Sequence, residues 1–393
     1  MTGAAAGRDL SGLRLALFTD TFAPQLNGVT RTLERLVQAI EARGGAVQVH
    51  TVADPGAVEE PQVRRWESTS FWAYPQLRIA LPSRRQVLQA VAEWEPTLIH
   101  ATTPFGVGLA GRHAARTLGV PLVTSYHTSF ADYLRHYHLQ ALDAVAWPYL
   151  RWFHNSGQRT FAPSGAVADE LRAHRFESVR IWGRGLDPLR FHPRFRTDVM
   201  RAAMGAGTRD LVVAYVGRLA PEKGVRVAMA AMQRVMRDRP HVRFAVAGDG
   251  PDELTCRKLA PAGTWFAGAL HGEALSSFYA SADILVFPST TETFGNVVLE
   301  AMGAGVPVVA PDAGATLELA SRESGALFRG GDSGSLASAV ESLLDDPARR
   351  RAMSDAGLRI AAARSWDAIW DGLFGEYLAL SASGDGRAMA RVA

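Results

Sequence analysis

Five side chains stand out for the chemistry they could do: His127, Arg218, Lys223, Glu292 and Glu300. The two glutamates bracket Asp283–Pro311 (DILVFPSTTETFGNVVLEAMGAGVPVVAP), which reads as strand, polar loop, short helix, turn and strand. The apolar run Asp283–Phe287 suits a buried parallel strand, and Gly303–Gly305 with Pro307 stops the helix. The first-turn N–H groups at Gly295, Asn296 and Val297 lack intrahelical partners and carry the positive end of the helix dipole, so they suit a phosphate. Two glutamates eight positions apart arise readily by chance. Placed in a post-strand loop and in the helix behind an anion-binding start, one can accept hydrogen bonds from a sugar and the other from a ribose.

The segment Gly217–Gly224 (GRLAPEKG) follows an apolar run and puts two cations at one strand's carboxyl end. Arg218 offers a planar fork of donors and Lys223 a mobile point charge, so together they can neutralise a diphosphate leaving group; a solvated charged turn would have the same composition. Gly248-Asp249-Gly250-Pro251 also follows a strand, either as a plain reversing turn or as a place where glycines let a ligand approach, with Asp249 at its tip. His127, in SYHTSF, ends another apolar run, where a histidine is either structural or a cleft group. Asn27-Gly28 follows the first strand, and Gly28 would let the backbone touch a phosphate.

The elements that must position these groups alternate between apolar strands and amphipathic helices. Leu13–Thr19, Ala46–Val52, Thr97–Thr102, Pro121–Tyr126 and Arg159–Ala162 read as strands, with helices at Val29–Ala42, Gly108–Leu118 and Ser164–His174. After Arg184–Thr197, charged and without apolar periodicity and so expected to be an interdomain linker, the pattern restarts at Leu211–Val216 and runs through Val242–Ala247, Thr264–Phe266 and Gly325–Phe328. The expectation is an α/β chain of two doubly wound parallel-sheet domains, residues 1–190 and 191–365, with ligands beyond the carboxyl ends of the strands. In the last helix, Trp366–Leu380, the four-residue spacing of Trp366, Trp370, Phe374 and Leu378 predicts an apolar face that crosses back, over 366–381, onto the N-terminal domain, and residues after Ser381 read as a disordered tail.

With 393 residues the chain is long enough for two cores, and 47% hydrophobic against 21% charged residues describes a globular protein. No apolar run reaches the roughly 20 residues of a membrane-spanning helix and Met1–Leu10 lacks a signal-peptide core, which predicts a cytoplasmic protein. The lone Cys256 rules out an internal disulfide, and neither a cysteine cluster nor a paired-histidine helix offers metal ligands, so no metal and no cofactor are expected. Residues 1–190 hold 20 basic against 16 acidic side chains of the whole chain's 42 and 39, so the small net excess of base lies in that half. Such a balance argues against nucleic acid as a partner and leaves room for attraction to an anionic membrane, at the inner face of the plasma membrane. Arg64–Tyr74 and Tyr133–Phe153 interleave aromatics with arginines, as either core packing or a membrane-interface surface would require.

Taken in order, TDTFAPQLNGV, SYHTSF, VGRLAPEKG, AGDGP and PSTTETFGNVVLEAMGAGVPVV resemble retaining glycosyltransferases of family 4, and nearly the whole chain fits. Within that family SYHTSFADYLRHY, LRWFHN and IWGRGLDPLRFHPRFR are most similar to bacterial GDP-mannose-dependent α-mannosyltransferases acting on glycolipid or phosphatidylinositol-type acceptors; sulfoquinovosyl- and glycosyl-diacylglycerol synthases, which use UDP-sugars, are also similar. The resemblance implies the GT-B fold, two Rossmann-like domains facing a cleft, the first for the acceptor and the second for the nucleotide-sugar donor. It implies that Arg218 and Lys223 hold the donor diphosphate with Gly217 and Asp249 nearby, that Gly28 approaches it, and that Glu300 binds the ribose. Glu292 would hold the donor sugar's hydroxyls beside the backbone of Phe294, Gly295, Asn296 and Val297, and His127 would contact the sugar near its reacting face. Transfer would proceed with retention, without a metal, from GDP-mannose in preference to a UDP-sugar, onto a hydroxyl of a glycolipid or other acceptor. The rivals are a UDP-sugar diacylglycerol synthase, an epimerase or phosphorylase of the same fold, and a non-catalytic sugar-nucleotide binder.

Overall fold

The structure, a computed structural model, describes residues 7–25, 28–71, 74–127 and 143–389. Asn27, residues 72–73 and residues 133–142 of the two aromatic-rich stretches lie outside the described residues, as do Thr128–Phe130 of SYHTSF. The chain divides into two units between Gly183 and Arg184, and the residues from Asp367 onward return to the first.

The first unit is built on a parallel sheet of β1 (Arg14–Phe18), β2 (Ala46–Val52) and β3 (Val63–Trp66), followed in the chain by a separate antiparallel hairpin of β4 (Ser68–Phe71) and β5 (Tyr74–Ala80). The sheet is completed by β6 (Leu98–Ala101), β7 (Leu122–Ser125), β8 (Arg159–Ala162) and β9 (Val179–Ile181), in the order β3-β2-β1-β6-β7-β8-β9. Leu15, Ala16, Leu17 and Phe18 are all fully buried, as strands covered by helices on both faces require. Helices 84–94 and 106–118 supply Val87, Val91, Val107, Ala110 and Ala114 to the core around Phe18 and Ile99. The described residues of Arg64–Tyr74 fall on β3, on the hairpin strands and on Glu67 between them, and the Trp66 ring stacks 6.0 Å from the buried His50 ring.

The second unit repeats the design with β10 (Leu211–Val216), β11 (Val242–Ala247), β12 (Trp265–Gly268), β13 (Ile284–Val286), β14 (Val308–Pro311) and β15 (Gly325–Phe328). Their order is β12-β11-β10-β13-β14-β15, every pairing parallel. Alternate residues of β10 serve different cores: Val212, Ala214 and Val216 pack with helices 272–281 and 296–303, whereas Val213 and Tyr215 pack with helices 225–237 and 333–344.

Three expectations need correction. Arg184–Thr197 is no free linker: Leu186 and Phe191 join the second unit's core, and the Arg196 guanidinium donates to the Ala280 and Ala282 carbonyls and to Asp283. Anchoring of this kind needs single apolar residues, which leave no periodicity to read. The final helix runs to Met389, past the expected tail at Ser381, because Gly384 and Gly386 lower helix propensity without removing a backbone hydrogen bond and no proline intervenes. Its buried face is Trp370, Leu373, Phe374, Tyr377 and Leu380, whereas Trp366 and Leu378 are only half-buried. Steps of four overshoot a 3.6-residue turn by about 40° each, so a row of fours rotates off the face that steps of three and four hold. The helix is tied to the first unit by Arg43–Asp367 at 2.9 Å, Arg159–Glu376 at 2.8 Å and a hydrogen bond between Tyr377 and His100.

Candidate active site

In the second unit the chain starts at β10, winds outward through β11 and β12, then crosses back to β13 on β10's other side. The loops after β10 and β13 therefore diverge at the point where strand order reverses, the usual ligand position in an open parallel sheet. GRLAPEKG and the loop carrying Glu292 occupy this point.

The two loops are bound to each other. Pro221–Lys223 forms one turn of 3-10 helix closed by Gly224 in the left-handed conformation (φ 66°), where a Cβ would come within 2.7 Å of the Pro288 carbonyl oxygen. Thr291 donates to the Glu222 carbonyl at 3.2 Å, and Lys223 Nζ reaches Glu292 Oε1 at 2.5 Å, with Ser289 donating to the same oxygen at 3.2 Å. Lys223 and Glu292 keep 27% and 22% of their side-chain surface exposed, so the pair is neither buried nor freely solvated and both charges remain within reach of a ligand. Beneath them Tyr215 donates to the Arg218 carbonyl at 3.0 Å; burial first, and then the Glu292 carboxylate, push its phenol upward, so it stays a neutral donor.

The AGDGP turn packs directly on this cationic loop. A Cβ on Gly248 would lie 1.9 Å from the Gly217 carbonyl oxygen, and one on Gly250 would lie 2.4 Å from that of Leu219. The close approach is to the cationic loop, which the turn clamps through Leu219 N–H to Asp249 C=O and Asp252 N–H to Leu219 C=O. The Asp249 side chain is exposed.

The helix after Glu292 spans Asn296–Gly303, with Gly295 before it at φ 95° and without a side-chain cap. Its first intrahelical bond is Val298 N–H to Gly295 C=O at 3.0 Å, which leaves the Asn296 and Val297 N–H groups ahead of the hydrogen-bonded ladder. Asn296 is exposed, and Phe294 is buried with the Arg364 guanidinium 5.8 Å from its ring centre. Glu300, half-buried, accepts from Tyr279 at 2.7 Å.

Two candidates lie in the first unit. Gly28 is exposed and begins helix Gly28–Glu41. His127 is half-buried just past β7; its Nε2 hydrogen-bonds the Ser125 hydroxyl at 2.7 Å, and its ring stands edge-on to Trp182 at 5.2 Å. The structure thus brings Lys223 to Glu292 and sets Arg218, Gly217 and Asp249 around the loop that holds Lys223, while Glu300 has its own partner. Ser289, Tyr279 and Ser125, which orient Glu292, Glu300 and His127, were not singled out in the sequence; Ser289 and Ser125 lie two or three residues from the group they serve, but Tyr279 lies 21 away on another helix. Among the described residues no group of three histidine, cysteine, aspartate or glutamate side chains could hold a metal ion.

Two family models match, Glycosyltransferase Family 4 over residues 26–190 and Glycosyl transferases group 1 over 210–346. The chain is 34% identical over 378 residues, 94% of its length and 98% of the relative's, to a GDP-mannose-dependent alpha-mannosyltransferase of Mycolicibacterium smegmatis. The chain belongs to glycosyltransferase family 4. Similarity extends to a sulfoquinovosyl transferase of Arabidopsis thaliana, 32% identical over 90% of this chain and 71% of that one. Among solved structures, a sucrose-phosphate synthase of Thermosynechococcus elongatus superposes with a TM-score of 0.76 at 22% identity, covering 94% of this chain and all of the other, a likeness of fold. As a member of that family the chain is a glycosyltransferase of two Rossmann-like parallel-sheet domains with the GT-B fold.

Proposed function

We propose that this glycosyltransferase moves a mannosyl group from GDP-mannose to a hydroxyl of a glycolipid acceptor with retention of configuration. The observation that carries the reading is the Lys223–Glu292 pair at 2.5 Å at the strand-order reversal, a cation for the departing diphosphate beside a carboxylate for sugar hydroxyls. The preference for mannose rests on the 34% identity to the mycobacterial mannosyltransferase over 98% of its length.

In this reading the bond from the sugar's anomeric carbon to the phosphate oxygen breaks and its electron pair leaves with GDP. Lys223 and Arg218 neutralise the charge that develops there, which is where binding accelerates the step. The acceptor hydroxyl forms the new bond on the same face and its proton passes to the departing phosphate oxygen, so no protein nucleophile is required. Glu292 holds sugar hydroxyls, Glu300 the ribose, the backbone from Phe294 to Val297 lies along the donor with Gly217 and Asp249 behind the diphosphate, and Gly28 and His127 keep the donor-side roles that the family resemblance implies for them. The first domain, which holds the small net excess of base, would bind the acceptor at an anionic membrane surface; among the described residues no helix is long and apolar enough to cross a membrane.

Transfer of labelled mannose from GDP-mannose to extracted glycolipid, with an α-linked product by NMR, is the expected result. Transfer from a UDP-sugar to diacylglycerol instead would favour the second reading, which the 32% identity to the sulfoquinovosyl transferase supports. A melting-temperature series with GDP, UDP and ADP separates the two without an acceptor, because the cognate nucleotide stabilises most. No transfer with either donor would overturn both.

A further inference from the structure

A chain of hydrogen bonds leads from the C-terminal helix to His127. The Tyr377 hydroxyl meets His100 Nδ1 at 2.7 Å, His100 Nε2 meets the Ser125 hydroxyl at 3.0 Å, and that hydroxyl meets His127 Nε2 at 2.7 Å. Tyr377 and His100 are fully buried and Ser125 is 1% exposed, so the links from Tyr377 to Ser125 are closed to water. His100 lies among the rings of Phe161, Trp182 and Tyr377, with centres 5.8 to 6.1 Å away, and this apolar surrounding pushes it down to about 3, so it is neutral and carries one ring proton.

The direction of the chain follows from counting protons. Among the described residues His100 Nδ1 is the one hydrogen-bond partner of the Tyr377 hydroxyl, so the phenol must donate to it; the reverse arrangement buries a hydroxyl proton without an acceptor. His100 then holds its proton on Nε2 and donates to Ser125, whose own proton points to His127 Nε2. We propose that Tyr377, acting through His100 and Ser125, is a positioning residue that holds His127 as the tautomer protonated on Nδ1. The C-terminal helix, 250 residues away in the chain, thereby decides which nitrogen of His127 is a donor, and Trp182, 5.8 Å from His100 and 5.2 Å from His127, holds both rings in place. With Nε2 occupied as an acceptor, the ring proton of His127 sits on Nδ1, the donor polarity that a role at a sugar hydroxyl or ring oxygen would call for. This last step rests on the role proposed for His127 above.

The test uses the full chain with nitrogen-15-labelled histidine and two variants, Tyr377→Phe and Ser125→Ala, which keep the ring and the backbone respectively. In the ligand-free wild type, His127 Nε2 is expected at the shift of a bare nitrogen and Nδ1 at that of a protonated one. Both variants should shift it toward protonated Nε2 and lower kcat about fivefold to tenfold with the donor KM unchanged, the effect of one lost orienting hydrogen bond. A His127 tautomer unaltered in both folded variants overturns the relay. A tautomer that shifts while turnover stays at the wild-type value upholds the relay and overturns the role of His127 in transfer.

Discussion

The two domains share a topology yet hold their candidate groups by different physics. In the second, oppositely charged side chains are drawn together: Lys223 to Glu292, Arg226 to Asp252 through two contacts of 2.6 Å, and Arg201 and Arg196 to Asp283. In the first, the position of His127 depends on neutral buried groups, and His50, His100 and His154 lie inside it at 1% exposure or less, whereas His192, His241 and His271 of the second domain are exposed. A site assembled by charge responds to losing a charge; one assembled by neutral polar groups responds to gaining one. The lesson is that equal folds give unequal sensitivities to pH and to substitution.

The largest expected effect is on acid stability. Burial pushes His50, His100 and His154 down to about 3, with Arg64 adding to the effect at His50, while an unfolded histidine titrates near 6.5. Below about 6.5 the unfolded chain binds protons that the folded domain refuses, so the first domain loses up to about 1.4 kcal/mol per pH unit for each histidine until pH nears 3. The second domain's Asp210 and Asp252 are held below the usual carboxylate range, Asp210 chiefly by the Gly207 N–H and Asp252 by the Arg226 guanidinium, so their contribution persists until below pH 4. Calorimetry from pH 7.5 to 5 should show the first domain's transition falling faster; transitions that fall together would break the contrast.

Next in size, Lys223→Ala or Glu292→Ala should each lower turnover with GDP-mannose about a hundredfold, near 2.7 kcal/mol of barrier, with the double variant little worse than either single one. Full turnover in either removes the charge-assembled half of the comparison. Tyr279→Phe releases Glu300 and should weaken nucleotide binding about fivefold by titration calorimetry, with the melting temperature nearly unchanged. Smallest of all, Arg239→Ala breaks an ion pair whose Asp345 side chain is 61% exposed, and should leave both melting temperature and turnover at the wild-type values; a measurable loss would mean that surface charge matters throughout this domain.

The strands most legible in the sequence were those buried on both faces. Arg159–Ala162, Leu211–Val216, Val242–Ala247 and Gly325–Phe328 coincide with β8, β10, β11 and β15, because a parallel strand covered by helices is apolar along most of its length, with Arg159 and Arg243 confined to the strand starts. The hairpin of β4 and β5 carries no such signal, since STSF and YPQLRIA show neither a continuous apolar run nor a clean alternation. The loop glycines were visible as glycines, but that Gly248 lies against the Gly217 carbonyl depends on how two loops pack.

By itself the sequence determined the family, the two repeats of strand and helix, and which residue types end the strands, because hydrophobic periodicity and local motifs are short-range properties of the chain. Only the tertiary structure decided that Lys223 is paired to Glu292, that Arg184–Thr197 anchors in a core, and that Tyr377 reaches His127 through His100 and Ser125. Each joins residues distant in the chain, and such pairings are set by strand order and packing, which no local pattern encodes.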